Sequence, residues 1–193
     1  MKKNYPFALL LCLAFFPFCK VVNAQNTQYT GGSPVLINIS DGQQSYGFTA
    51  PKIKGRFNNR LKRFEFLLSI ADVKTKQVGA FFTNLFNSVF HPDQSGELQM
   101  QVYAPSELRG FEGFANPQTL NLTGQVDING KNYQLPVTMN VKYSNGTLYY
   151  GLQANVSSAD FGTINSADDE KSVHLRQVQF IVRESQMGVY FEE

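Results

Sequence analysis

Apolar and polar residues alternate in three runs within residues 118–158, and two Asn-Gly dipeptides separate these runs. Asn129-Gly130 and Asn145-Gly146 are of the type that two-residue type I′ turns prefer. With such a hairpin at the first turn, Leu122 pairs with Val137, and the apolar residues of all three strands share one face. A slip of one residue would turn every side chain to the other face. The turns, the register and the alternation therefore agree on a three-stranded antiparallel meander.

The same alternation predicts further strands on both sides of the meander. They are the runs 64–70 and 97–103, one or two strands within Ser45–Phe57 broken at Pro51, and Val173–Val182 followed by Met187–Phe191. Long antiparallel strands with an apolar face either close on themselves or stack on a second sheet. Closure suits the chain length and the meander better. We predict an all-β fold: an antiparallel up-and-down barrel of about eight strands.

One segment follows a helical period instead of a strand period. Its apolar residues recur at spacings of three and four, which predicts one short amphipathic helix that ends just before Pro92. These residues are Val78, Phe81, Phe82, Leu85, Phe86 and Val89. The other face carries no charged residue, which is unusual for a helix that faces water. Two interpretations stay open: a plug packed against the sheet, or a lid over the mouth of a cavity.

The first 24 residues have the pattern of a secretory signal peptide. Lys2 and Lys3 precede an almost unbroken apolar run, Phe7–Phe18, and Ala24 is a small residue at the expected cleavage position. We therefore expect an exported protein, periplasmic or secreted. Residues 25–34 are polar and Gly-rich and are predicted to be a flexible lead, followed by a single domain over 35–193.

Removal of this segment changes the charge and the cysteine content. Lys2, Lys3 and Lys20 are three of the 17 basic residues, which leaves 14 against 15 acidic ones. Cys12 and Cys19 are the two cysteines, so the mature chain has no disulfide and no thiolate nucleophile. A nearly neutral domain also argues against nucleic acid as the partner.

Candidate catalytic groups are few. The two histidines, His91 and His174, occur without a metal-ligand spacing or a partner motif. Asp168-Asp169-Glu170 lacks the spacing of a calcium loop and is interpreted as a solvated loop. We predict no catalytic residue, no metal site and no cofactor. A hydrolase that uses two carboxylates stays open, because such acids need not be neighbours in sequence.

The segment 52–63 carries six basic residues and no acid. Lys52, Lys54 and Arg56 alternate with Ile53 and Phe57, as on a strand with one solvated face. The functional interpretation is a patch for anionic lipid head groups, with peripheral membrane contact, or for phosphate.

The apolar face of the predicted barrel is the remaining candidate site. An eight-stranded barrel is just wide enough to be filled by its own side chains or to hold one small ligand. Hydrophobic burial would drive a long hydrocarbon chain into such an interior. Both outcomes use the same residues, so the pattern leaves the choice open. The candidate lining residues are Phe66, Leu68, Phe81, Phe82, Leu85, Phe86, Leu122, Val137, Met139, Tyr150, Leu152 and Phe161.

Five segments resemble a known family. They are Ile53–Phe57 with its Gly-Arg-Phe, FLLSIADVKT at 66–75, FNSVFHP at 86–92, the Leu122–Gly130 hairpin and the Asp-Phe-Gly turn within Ala159–Ile164. Together they are similar to the YceI-like family of exported polyisoprenoid-binding proteins, over nearly the whole mature chain. The family's usual Arg-Asp pair between Thr75 and Phe86 has no counterpart here.

The resemblance implies a lipocalin-like barrel that is not an enzyme. Its interior would hold a hydrophobic small molecule, an isoprenoid or a fatty-acid-like lipid. Two alternatives from other classes are an integral outer-membrane barrel, whose apolar face would point to lipid, and the exported carboxylate-dependent hydrolase.

Overall fold

Eight antiparallel strands close into one barrel in the computed structural model, which describes residues 29–91, 96–108, 110–158, 161, 163–165 and 172–188. Each barrel strand lies between the barrel strands that precede and follow it in sequence, and the first pairs with the last, so the predicted all-β up-and-down barrel is confirmed. The predicted signal peptide, Pro92 and the Asp168–Glu170 run lie outside the described residues. The barrel strands are β1 (Thr30–Ser40), β2 (Ser45–Asn58), β3 (Arg63–Ser69), β4 (Glu97–Tyr103), β5 (Gln118–Ile128), β6 (Lys131–Ser144), β7 (Thr147–Ser157) and β10 (Gln177–Gly188).

Four short elements lie in the connections between these strands. The helix α1 (Ala80–Phe90) joins β3 to β4, and a 3₁₀ turn at Glu112–Phe114 joins β4 to β5. Strands β8 (Thr163–Asn165) and β9 (Ser172–His174) pair with each other in a separate two-stranded sheet between β7 and β10.

The predicted meander is confirmed in its register. Leu122 pairs with Val137 across the first hairpin, as the turn chemistry requires. Both Asn-Gly turns have positive φ at both residues, 56° and 71° at Asn129-Gly130 and 50° and 74° at Asn145-Gly146. This is the backbone of a type I′ turn, in which Asn and Gly bear the left-handed conformation at low cost.

Two predicted strand boundaries were wrong, because the strand continues through a β-bulge where the sequence pattern predicted that it would end. Pro51 does not end a strand: β2 runs through it, and the pairing with β1 shifts register between the Val35–Ala50 and Ser33–Ile53 pairs. A bulge is a place where a strand tolerates proline, since one ladder hydrogen bond is already missing.

The strand expected at Val173–Val182 divides instead. Its first residues belong to β9, and β10 then runs unbroken from Gln177 to Gly188, with a register shift between Val182 and Ser185. At the other end of the domain, β1 begins at Thr30. The described part of the predicted flexible lead therefore lies mostly in a strand, because Thr30 and Ser33 pair with β2.

Each end of the barrel has its own cover. The helix end carries the connections 41–44 and 129–130 and the helix α1. The 3₁₀ end carries the connections 59–62 and 145–146 and the 3₁₀ turn.

Side chains alternate between a buried apolar interior and an exposed polar exterior. In β6, for example, Leu135, Val137, Met139 and Val141 are buried, and each residue between them is exposed. An integral outer-membrane barrel needs the opposite arrangement, with its apolar residues outside. The pattern therefore disfavours that alternative. In the part of the chain that the structure describes, no helix combines the length and the apolar character required to cross a bilayer.

Candidate ligand-binding interior

The predicted lining residues fall into two groups by burial. Those on the strands and in the centre of α1 are almost completely buried: Phe66, Leu68, Leu85, Val137, Met139, Tyr150, Leu152 and, after β7, Phe161. Those with part of their surface in solvent are Phe81, Phe82, Phe86 and Leu122. All twelve belong to one hydrophobic core or pack against it.

The middle of the interior is closed by one aromatic contact. Phe66 projects from β3 and Tyr150 from β7, and these strands lie four positions apart in the ring of eight. Their ring centroids are 5.4 Å apart, and the two residues are 1% and 2% exposed. The lining side chains therefore pack against each other across the barrel at this level, so a guest would have to separate them.

A glycine makes room for this contact. Gly55 faces the interior from β2, opposite Phe66 in the ladder. A Cβ atom there would lie 2.8 Å from Cε of Met187 and 3.2 Å from the Phe66 ring. The missing side chain lets the Phe66 ring lie against the barrel wall.

Two hydroxyl groups lie in this apolar interior beside the Phe66 contact. Tyr150 pairs in the ladder with Ser185, which is 5% exposed. Neither hydroxyl oxygen has a partner at hydrogen-bond geometry among the described residues. Burial raises the pKa of Tyr150 to about 12, and the nearby Ser185 hydroxyl lowers it only in part. The phenol is therefore protonated over the whole physiological range.

Sequence reasoning missed Ser185. From Val178 to Val182 the inward residues have even numbers, and the bulge after Val182 changes the inward positions to Ser185 and Met187. The sequence did contain one signal for it: the apolar positions of this segment change from even to odd residue numbers between its two apolar runs. A break and a bulge give the same pattern, so the sequence did not distinguish them.

The 3₁₀ end is filled by an aromatic cluster around Phe111. Its ring centroid lies 4.7 Å from that of Phe57, 5.8 Å from Tyr143 and 6.0 Å from Phe114. Phe111 is fully buried. It belongs to no periodic run, which is why no sequence pattern identified it. This end of the interior is thereby closed by side chains from the long β4–β5 connection.

The helix end is covered by α1 through a second aromatic cluster. Phe81 contacts Tyr46 and Phe86 contacts Phe48, each with ring centroids 5.4 Å apart. Leu85, Val89 and Phe90 are the buried residues of the helix. The predicted series of apolar helix residues was wrong at its first member, because Val78 precedes the helix and is 94% exposed.

The anchoring of α1 to the barrel involves one hydrogen bond from a hairpin. Nδ2 of Asn129 donates to the carbonyl oxygen of Val89 at 2.6 Å. The helix has no side-chain cap at its start, no acidic residue in its first turn and no basic residue in its last. In other proteins, a side-chain cap and charges of these signs each stabilise the ends of helices. The helix therefore depends on its packing against the barrel.

The basic segment lies on the outer surface and is partly neutralised there. Glu65 of β3 is 5% exposed and accepts from Nε of Arg56 at 2.6 Å and from Nε of Arg63 at 2.7 Å. Burial raises the pKa of Glu65, but the bonds from Arg63 and Arg56 outweigh it and leave that pKa below its usual value. The Arg56 guanidinium also stacks on the ring of Tyr29, 4.4 Å from its centroid. This cluster fastens the start of the domain to the barrel wall.

Both histidines have structural positions. His91 ends α1 in the left-handed conformation, with φ of 39°. His174 Nδ1 lies 2.6 Å from Oγ1 of Thr163 across the small β8–β9 sheet. Within the described ranges, no group of three or more His, Cys, Asp or Glu residues could hold a metal ion.

Solved structures with this fold include a domain named for binding a polyisoprenoid. That polyisoprenoid-binding domain of Saccharophagus degradans, implicated in plant cell wall breakdown, has a TM-score of 0.55 at 10% identity and covers 83% of this chain and 99% of its own. BcnA of Burkholderia cenocepacia has a TM-score of 0.52 at 13% identity, covering 80% of this chain and 95% of its own. A YceI protein of Campylobacter jejuni covers 97% of this chain and 99% of its own at 12% identity, with a TM-score of 0.43.

No family model and no curated protein matches the sequence. The likeness to the first two structures shows that the chain has the same fold as they do.

Proposed function

We propose that this protein is an exported, non-enzymatic YceI-like binding protein that holds an isoprenoid or similar lipid-like amphiphile inside its barrel. The supporting observation is the single cluster of buried apolar residues, which runs from the aromatic residues of α1 past Phe66 and Tyr150 to Phe111. Burial of hydrocarbon contributes roughly 25 cal/mol per Å² of apolar surface, so an isoprenoid chain fits the chemistry of this lining.

The guest enters at the helix end. Phe81, Phe82 and Phe86 are the lining residues of α1 that keep part of their surface in solvent. Their helix has no side-chain cap at its start and no charged residue that favours its ends, so it depends on packing against the barrel. An apolar chain that enters beneath α1 would replace side-chain contacts with equivalent ones and separate Phe66 from Tyr150.

Native mass spectrometry of the exported protein, purified without detergent, tests the function. We expect an additional mass that disappears after extraction with organic solvent and returns when farnesol, a C15 isoprenoid alcohol, is added. The ligand-free mass in repeated preparations, together with no uptake of farnesol, would refute the proposal.

A pair of substitutions on one segment tests the entry route. Phe82→Asp places a charge among the half-buried aromatic residues, and we expect farnesol uptake to fall at least tenfold, since a desolvated carboxylate is costly. Val78→Asp is the matched control, because Val78 is 94% exposed, and uptake should stay within twofold of the parent. Equal uptake by both variants would place the entry elsewhere.

Export is tested by the N-terminus of the protein found outside the cytoplasm. We expect the mature chain to begin at Gln25, after cleavage behind Ala24. A cytoplasmic protein that retains its first 24 residues would contradict the localisation and leave the binding proposal to its own test.

A further inference from the structure

We propose that the hydroxyl groups of Tyr150 and Ser185 form a polar subsite in the middle of the barrel that binds a neutral oxygen group, an alcohol or a carbonyl, of the guest. This inference rests on the proposed function and makes it more specific. It assigns the ligand to oxygen-bearing isoprenoids rather than to plain hydrocarbons.

The first support is the unsatisfied state of both oxygens. Tyr150 is 2% exposed and Ser185 5%, and neither oxygen meets a hydrogen-bond partner in the described part of the chain. Buried polar groups in folded proteins almost always have a partner, and a missing one is costly. A phenylalanine at position 150 would preserve the ring contact with Phe66 without that cost. Ligand binding explains why the hydroxyl is present.

The second support is the backbone that brings the pair together. Ser185 faces the interior only because β10 bulges after Val182, which inserts an extra residue opposite Gly151 of β7. A Cβ atom on Gly151 would lie 2.8 Å from the carbonyl oxygen of Arg183 in this bulge. Bulges characteristically redirect a side chain toward a functional site. Here the redirected side chain is a hydroxyl, placed next to the phenol of Tyr150.

The third support is the neutrality of the surroundings. Tyr150 pairs with Val141 on one side and Ser185 on the other, and its ring contacts Phe66. Burial keeps the phenol protonated, with a pKa of about 12, so it is available as a donor. A phosphate placed here would lose its hydration without a cation in compensation. The subsite therefore matches an alcohol or a carbonyl, and it would exclude a phosphate.

Three C15 probes of equal carbon skeleton test the subsite: farnesol, the hydrocarbon farnesene and farnesyl phosphate. We expect the parent protein to bind farnesol about tenfold tighter than farnesene, which corresponds to one or two hydrogen bonds. In Tyr150→Phe and in Ser185→Ala, this ratio should fall to about threefold, and in the double variant to near one. Tyr149→Phe is the matched control on the same strand, because Tyr149 is exposed, and it should keep the parent ratio.

The opposite outcomes are distinct. An equal affinity for farnesol and farnesene in the parent, or a preference that survives the double substitution, would overturn the subsite and leave the carrier function in place. Tighter binding of farnesyl phosphate than of farnesol would overturn the neutral head group. If none of the three probes binds and repeated preparations show only the ligand-free mass, the proposed function itself is refuted.

A ligand-free measurement is independent of the probes. Because the Tyr150 hydroxyl meets no partner at hydrogen-bond geometry among the described residues, Tyr150→Phe should raise the thermal unfolding midpoint of the extracted protein by a few degrees, and Tyr149→Phe should leave it unchanged. A lower midpoint for Tyr150→Phe would show that the hydroxyl is satisfied within the protein, and it would contradict the subsite.

Discussion

The rings of Phe66 and Tyr150 meet across the barrel with centroids 5.4 Å apart, although their strands lie on opposite walls. An eight-stranded barrel is narrow enough for two large side chains to span it. This contact makes the interior at this level a packed core. A bound molecule must therefore separate the two rings and replace their contact with its own apolar contacts.

Truncation of Phe66 is expected to be among the most costly changes in the chain. Phe66→Ala removes a fully buried ring and leaves a cavity, so we expect a loss of about 3–5 kcal/mol in the free energy of unfolding. Chemical denaturation measures this loss. Phe82→Ala is the control and should cost much less, because part of that ring already lies in solvent. A loss below about 1 kcal/mol for Phe66→Ala would contradict the packed interior.

The hydrogen bond from Asn129 to Val89 is expected to hold α1 against the barrel. Asn129→Gly keeps the turn, since glycine accepts its positive φ, but removes the amide that donates to the helix. We expect amide hydrogen exchange in 80–90 to accelerate roughly five- to tenfold, the equivalent of one hydrogen bond.

Asn145→Gly is the matched control for that experiment. Asn145 occupies the same turn position, with φ of 50°, in the hairpin at the opposite end of the barrel. It should leave exchange in the helix unchanged. Similar acceleration by both substitutions would mean a general loss of stability and no specific anchoring.

The ion cluster at Glu65 predicts a dependence of stability on pH. The pKa of Glu65 is lowered in the folded state, so its contribution is fully present above the ordinary carboxyl pKa of about 4.3 and disappears as the pH falls through the folded value. Denaturant titrations should therefore show the difference in stability between the parent and Glu65→Gln to be largest near neutral pH and to shrink in acid. The exposed Glu97, changed to Gln, serves as the control and should show little difference at any pH. A difference that grows in acid would contradict the sign.

Close approach of two strands predicts the effect of a methyl group at Gly124. A Cβ atom there would lie 2.7 Å from the carbonyl oxygen of Gln101, in the backbone of β4. The strands must shift to accept it, so Gly124→Ala should cost roughly 1–3 kcal/mol in the free energy of unfolding. Gly113→Ala has open space around the added carbon and should change stability by less than about 0.5 kcal/mol. Equal effects of the two substitutions would refute the close approach.

Alternation and turn chemistry were sufficient for the meander, the strand number and most of the lining. Leu122, Val137 and Met139 share one face because successive side chains of a strand point to opposite faces. Alternating apolar residues in a sequence therefore identify the buried face. The Asn-Gly turns then leave a single register that buries this face. These features depend on local interactions or on one hairpin, so they can be predicted from the sequence.

Tertiary structure alone decided which elements close the barrel and what meets inside it. Phe111 lies in no periodic run, and its burial depends on Phe57 and Tyr143, which are distant in sequence. Ser185 faces inward only through a bulge, whose pattern is the same as that of a strand break. Contacts such as Phe66 with Tyr150 depend on the diameter of the closed sheet, which follows from the pairing of all eight strands and from no single segment.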